Sequence, residues 1–197
     1  MQTKLNRELI SGEALDVEFE LLDPAAVSIS DVMSMINGKT GAIMEFALHC
    51  GAAIAKGAYE PKSPDFVALS RYAVNLAAAF QLQDDMLGVF GDEKVFGKPL
   101  CSDFQEAKPT MLYLEAIRHL DAAGRAKLDS YLRRPNYSDA DIANIRAILT
   151  ESGAADTVRK SISALSACAC SSLLPLPDNP WRGLLNTLVE QMLVRSV

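Results

Sequence analysis

Twelve consecutive residues without a formal charge, Tyr72 to Gln83, lie between Arg71 and Asp84. Ser63-Pro64 precedes them with helix-start chemistry: a capping hydroxyl, then a proline at the first helical position. No glycine or proline interrupts the stretch before Gly88. It reads as one helix ending near Phe90, roughly 27 residues and about 40 Å long at 1.5 Å per residue. A helix that is apolar around most of its circumference is buried nearly all round. This chain must therefore pack other elements on every side of it.

Those elements read as helices too. Apolar residues recur at helical spacing through most of the sequence, and no Val/Ile/Thr-rich stretch alternates with period two as strands do. Ser138-Asp139 opens a helix through Ile142, Ile145, Ile148 and Leu149 that stops near Gly153, and Asn179-Pro180 opens another along Leu184, Leu185, Leu188, Val189 and Met192. Two more span about Gly41 to Lys56 and Ala155 to Leu173. The fold class is all-α. With 197 residues, 49% apolar and 22% charged, the chain is globular and long enough for one sizeable core.

Nineteen basic against 25 acidic residues give a net charge of −6, the wrong sign for a chain that binds by neutralising nucleic-acid phosphates. No apolar stretch reaches the ~18 residues that span a bilayer, and the opening residues lack a secretory apolar segment, so the expectation is a cytoplasmic protein. Cys50, Cys101, Cys168 and Cys170 show neither disulfide-framework nor zinc-site spacing.

Two segments interrupt the helical reading. In Asn37-Gly38-Lys39-Thr40-Gly41, the Gly-Lys-Thr run suggests a phosphate-binding P-loop, but that motif needs glycine at position 33, which is Met33, and a preceding strand. The remaining reading puts Lys39 at the start of a helix, where the helix N-terminus and the ammonium both face phosphate oxygens. The second segment, Asp84 to Thr110, holds six acidic residues (Asp84, Asp85, Asp92, Glu93, Asp103, Glu106) and three lysines (Lys94, Lys98, Lys108). Gln81, Asp84, Asp85 and Gly88 share one helical face, and adjacent carboxylates there repel unless a cation stands beside them. Mg²⁺ takes oxygen ligands, typically one or two carboxylates together with substrate phosphate. Carboxylates for a metal and lysines close by are what a diphosphate demands.

The segment Phe80-Gln81-Leu82-Gln83-Asp84-Asp85-Met86-Leu87-Gly88, followed by Gly97-Lys98-Pro99, Ser102-Asp103-Phe104 and Lys108-Pro109-Thr110, closely resembles the second aspartate-rich region of the trans-isoprenyl diphosphate synthases, the polyprenyl synthetases that include geranylgeranyl and farnesyl diphosphate synthases. Lys39-Thr40-Gly41 is similar to that family's Lys-Thr motif, and Gly12-Glu13-Ala14-Leu15-Asp16 to its Gly-Gln-x-Leu-Asp segment. The resemblance runs by motif to about Thr110. It implies an isoprenoid-synthase helical bundle, usually a homodimer, that joins an allylic diphosphate to isopentenyl diphosphate with Mg²⁺. In those terms Asp84 is a metal ligand supported by Asp85. Lys39 and Lys98 bind the allylic diphosphate, Thr40 and Gln81 line the reacting centre, and Lys108 closes over it.

The sequence departs from the family pattern in two ways. The fifth position of the family's Asp-Asp-x-x-Asp is Gly88 here, one carboxylate short. The family's first aspartate-rich motif and isopentenyl site precede the Gly-Gln-x-Leu-Asp segment, so residues 1–197 read as the C-terminal part of a polyprenyl synthetase domain lacking the N-terminal helices. By themselves these residues are expected to turn over poorly or not at all, the N-terminal half coming from an associated chain or from further residues of a longer protein. The alternative is a non-catalytic subunit that modulates a complete prenyltransferase. A terpene cyclase of the same fold is disfavoured, since no Asn/Asp-x-x-Ser-x-x-x-Glu spacing follows Thr110.

Overall fold

The computed structural model describes residues 1–93, 97 and 99–193, and no strand occurs among them. The helices are α1 (Gln2–Leu21), α2 (Ile29–Ile36), α3 (Ala42–Lys56), α4 (Pro64–Phe90), α5 (Ser102–Gln105), α6 (Met111–His119), α7 (Ala122–Asp129), α8 (Asp139–Glu151), α9 (Ala154–Ser172) and α10 (Pro180–Leu193). A 3₁₀ turn covers Pro24–Ala26 and a π turn Asn37–Gly41.

Local chemistry explains most of the boundaries. Ser138 and Asp141 form a reciprocal capping box at the start of α8. Asn179 Oδ1 accepts from the Trp181 and Arg182 amides at the start of α10. Gly57 and Gly153, at φ 68° and 78°, take the left-handed turns that end α3 and α8. The start of α4 falls at Pro64 as its sequence predicts, but the expected side-chain cap is not made. Ser63 Oγ is buried with no hydrogen-bond partner among the described residues, so proline's fixed φ sets this helix start. Most of the central stretch of α4 is buried, Tyr72, Ala73, Ala77, Ala78 and Leu82 each being at most 1% exposed, but Val74 is 39% exposed, so the helix is not covered on every side.

The chain divides into two compact units, and α4 contributes to both. The first comprises Met1–Leu15, Met33–Gln81 and the described residues from Ile162 on. Its core joins Leu69, Tyr72 and Leu76 to Ala169, Leu173 and Val189. The Tyr72 hydroxyl donates to Leu185 O at 2.7 Å, and burial pushes its pKa up to about 12.

An ion pair in the same unit makes its stability pH-dependent. Lys4 Nζ lies 2.6 Å from Glu45 Oε2, and Ser70 Oγ donates to Glu45 Oε1 at 2.5 Å. Burial alone would raise the Glu45 pKa, but the bonds from Lys4 and Ser70 and the neighbouring positive charge hold it below its ordinary value. Burial pulls the Lys4 ammonium down, and Glu45 more than offsets it. Glu45 therefore stabilises the fold fully above the ordinary carboxyl value of 4.5 and loses its contribution as pH falls through its lowered value. Lys4 contributes fully below the ordinary ammonium value of 10.5 and less above it. In equilibrium unfolding measured against pH, Glu45→Gln is expected to flatten the loss of stability on the acid side.

The second unit holds Asp16–Val32 and Leu82–Ser161. Here Arg146 secures the last turn of α4: Nε donates to Val89 O at 2.7 Å and Nη2 to Gly91 O at 3.0 Å. A guanidinium on the terminal carbonyls also complements the helix dipole. Arg133 does the same for α1, donating from Nη2 to Glu20 O at 2.7 Å, while its own amide donates to Phe104 O. Removing the Arg146 guanidinium strands two carbonyls at the exit of the acidic helix. Arg146→Ala is expected to cost about 2–3 kcal/mol in urea unfolding, the scale of hydrogen bonds to a charged group.

Candidate active site

Lys39 and Thr40 lie in the π turn, not at a helix start. Ile36 before the turn (φ −58°, ψ −44°) and Ala42 after it (φ −61°, ψ −38°) are both right-handed helical, and the Ala42 amide donates to Asn37 O. The backbone runs from α2 into α3 without a terminus, so no set of orphan amides faces outward beside Lys39. This corrects the sequence reading of the segment as a break: Asn37, Gly38 and Gly41 suggest a turn by composition, yet a π turn inserts one residue into a continuous helix and turns its side chains aside.

The glycines serve packing instead. A Cβ built on Gly12 of α1 would stand 2.3 Å from Lys39 N and 2.6 Å from Gly38 C. A Cβ on Gly38 would stand 3.0 Å from both Glu8 O and Gly12 Cα. The backbones of α1 and the π turn thus touch directly, and only glycine permits it. One residue on, Glu13 Oε2 lies 3.3 Å from Lys39 Nζ. An open groove of about 510 Å³ adjoins this contact, lined by Lys4, Arg7, Glu8, Ser11, Asn37 and Glu45 among others.

Gln81, Asp84 and Asp85 follow one another along the uninterrupted α4. Asp85 is 8% exposed, and Gln81 and Asp84 are half-buried. Carboxylate oxygens are hard donors that suit Mg²⁺. Among the described residues no three His, Cys, Asp or Glu side chains are grouped so as to hold a metal by themselves. That donor set fits an ion that takes one or two carboxylates and completes its shell with water and substrate phosphate.

Beyond α4 the chain returns through α5 to Lys108. Its Nζ lies 2.6 Å from Glu106 Oε2 and 3.5 Å from Glu20 Oε1. Burial acts to lower its pKa, but the bond to Glu106 and the charges of Asp16, Glu106 and Asp103 hold it above the ordinary lysine value. Lys108 is therefore a fixed positive charge in an acidic surround.

Lys39, Thr40 and Gln81 thus belong to the first unit, Asp84, Asp85 and Lys108 to the second, and Lys98 lies outside the described residues. Of the carboxylates that meet the two lysines, Glu20 was not singled out from sequence. Glu13, Asp16 and Glu20 recur at i, i+3 and i+7 on α1, the spacing of one helical face. That periodicity was the available signal.

The secondary structure of the described residues is all helical, with an acidic pair near the end of a long helix and lysines before and after it in sequence. Residues 1–149 match the Polyprenyl synthetase family, and the chain belongs to that family. It is 32% identical over 190 residues to the geranylfarnesyl diphosphate synthase of Aeropyrum pernix, covering 95% of this chain and 57% of that protein. It is 35% identical over 145 residues to the short chain isoprenyl diphosphate synthase of Methanocaldococcus jannaschii, covering 74% and 42%. The structure is similar to that of a geranylgeranyl pyrophosphate synthase from Corynebacterium glutamicum complexed with isoprenyl diphosphate and magnesium. The TM-score is 0.86 at 30% identity, with 99% of this chain and 54% of that one covered. The chain spans about half the length of these relatives. No helix among the described residues is long and apolar enough to cross a membrane.

Proposed function

We propose that this chain carries the part of a trans-prenyltransferase that ionises an allylic diphosphate for condensation with isopentenyl diphosphate. The observation that carries the reading is the acidic pair of α4, with Asp85 nine-tenths buried, in a chain whose family match spans residues 1–149. Asp84 and Asp85 would hold Mg²⁺, which when bound supplies positive charge to neutralise the leaving diphosphate. Lys39, Lys98 and Lys108 bind diphosphate oxygens, and Lys108, kept charged by its acidic neighbours, stays cationic across the working range of pH. Thr40 and Gln81 line the reacting centre.

Asp84-Asp85 is the one adjacent aspartate pair in residues 1–197, and we assign the family's other acidic motif to residues outside this sequence. Turnover then requires that motif, carried by further residues of the same protein or by a partner polypeptide, with the assembled protein acting as a dimer. The test is product formation from an allylic diphosphate, isopentenyl diphosphate and Mg²⁺, followed by mass spectrometry. The chain alone should give no prenyl product, and adding the polypeptide bearing the first aspartate-rich motif should restore it. If the mixture stays inactive while the chain shifts the product of a complete synthase, the regulatory-subunit reading replaces this one.

A further inference from the structure

The last carbonyls of any helix have no amide of their own helix to accept from. After α3 and α8 the chain turns through a left-handed glycine, Gly57 and Gly153, but Gly91 after α4 takes no such φ. The final carbonyls of α4 draw their donors from beyond the helix. Leu87 O accepts the Gly91 amide at 2.9 Å, and Gly88 O accepts the Cys101 amide at 2.7 Å. Val89 O accepts from Arg146 Nε and Gly91 O from Arg146 Nη2. The exit of α4 is thus shaped by a side chain of α8, 55 residues beyond Gly91.

Arg146 also borders the returning chain. Burial pushes the Cys101 thiol up to about 11, and the neighbouring Arg146 charge opposes that rise. The guanidinium therefore stands by a junction of two segments, the one leaving at Val89 and Gly91 and the one arriving at Cys101, which leads through α5 to Lys108. Val89 and Cys101 are at most 2% exposed, so a carbonyl deprived of its donor here has little water to replace it. Arg159 of α9 adds a second hold, its Cζ 5.5 Å from the centroid of the Phe90 ring. All of these residues belong to the second unit. Asp85 and Val89 are i, i+4 neighbours, so the turn that Arg146 holds adjoins the acidic pair.

We propose that Arg146 is a positioning residue for the diphosphate site, holding the acidic end of α4, with Asp84 and Asp85, against the returning segment that carries Lys108. The proposal rests on the proposed function and gives Arg146 no contact with substrate or metal. A guanidinium presents its donors as a rigid fork, so it fixes the directions of two carbonyls at once, which an ammonium on a flexible stem does not. Groups displaced by about 1 Å from their working positions lose much of what they contribute.

The test is binding of inorganic pyrophosphate to the 197-residue chain, with and without Mg²⁺, by titration calorimetry at a temperature where circular dichroism shows each protein folded. The proteins are the wild type, Asp84→Asn, Arg146→Ala, Arg146→Lys and Asp121→Ala. The last removes the cap of α7, where Asp121 Oδ1 accepts the Gly124 amide at 2.7 Å, and destabilises the same unit through a bond that does not involve α4. Arg146→Ala should weaken Mg²⁺-dependent binding about tenfold, within the hundredfold that a remote displacement can cost, while Asp121→Ala binds like the wild type. Arg146→Lys, which keeps the charge but not the fork, should fall between them. Amide hydrogen exchange reads the junction without ligand: Gly91 and Cys101 should lose more protection in Arg146→Ala than the amides of α7 do. Undiminished binding by Arg146→Ala overturns the proposal, as does an equal loss in Asp121→Ala or unchanged exchange at Gly91 and Cys101. Should Arg146→Ala not fold, Arg146→Lys decides, and binding equal to wild type overturns the proposal. A wild type without Mg²⁺-dependent binding, or an Asp84→Asn variant equal to wild type, instead fails the proposed function and takes this proposal with it.

Discussion

Asp84→Ala is expected to lower Mg²⁺-dependent turnover at least a hundredfold in the assembly completed by the first acidic motif, with a fall in apparent Mg²⁺ affinity. The magnitude is that of removing one preorganised electrostatic partner from a transition state. A hundredfold corresponds to about 2.7 kcal/mol, at 1.36 kcal/mol per decade. The effect belongs to charge and not to packing, because Asp84 is half-buried, unlike its buried neighbour Asp85, and its truncation opens no core cavity. Asp84→Asn, which keeps the shape and loses the charge, should therefore be nearly as damaging as Asp84→Ala. Near-normal rates in either variant would remove Asp84 from the reaction. The same pair of variants should leave thermal unfolding almost unmoved, which separates loss of chemistry from loss of fold.

What could be read from the sequence divides along physical lines. α4 was legible because its signals agree: proline at its first position and twelve uncharged residues without a glycine or proline among them. α8 and α10 were legible through their caps, since Ser138 and Asn179 bond the orphan amides that follow them. α1 gave no such signal. Its apolar residues, among them Leu5, Ile10, Val17 and Phe19, spread around the helix instead of forming one stripe, and Ile10 and Val17 stay 68% and 59% exposed. A sequence also cannot announce a π turn, because the residues that permit a close helix contact are those that permit a turn. Asp103 was counted among the acidic residues but not placed against Gly88, since fifteen positions separate the two in sequence.

Gly12→Ala decides whether the glycines at Lys39 serve packing or turning. Ala replacing Gly inside a helix normally stabilises by about 0.8–1 kcal/mol. α3 offers a control of that kind: a Cβ on Gly51 meets nothing within 4 Å beyond its own helix among the described residues, so Gly51→Ala should raise the thermal midpoint. At Gly12 the same methyl would lie 2.3 Å from Lys39 N and 2.6 Å from Gly38 C. Both are backbone atoms, which cannot rotate aside as a side-chain end would. α1 must therefore lift from the π turn or the turn must shift, an overpacking cost of about 2–3 kcal/mol. For a chain of this size that is a drop of about 5–10 °C in the midpoint. The displacement falls on Lys39 itself, so Mg²⁺-dependent pyrophosphate binding should weaken in Gly12→Ala and stay unchanged in Gly51→Ala. Opposite signs for one chemical change at two helical glycines are the signature of direct backbone contact. A rise in midpoint at both positions would show that α1 does not press on the turn that carries Lys39.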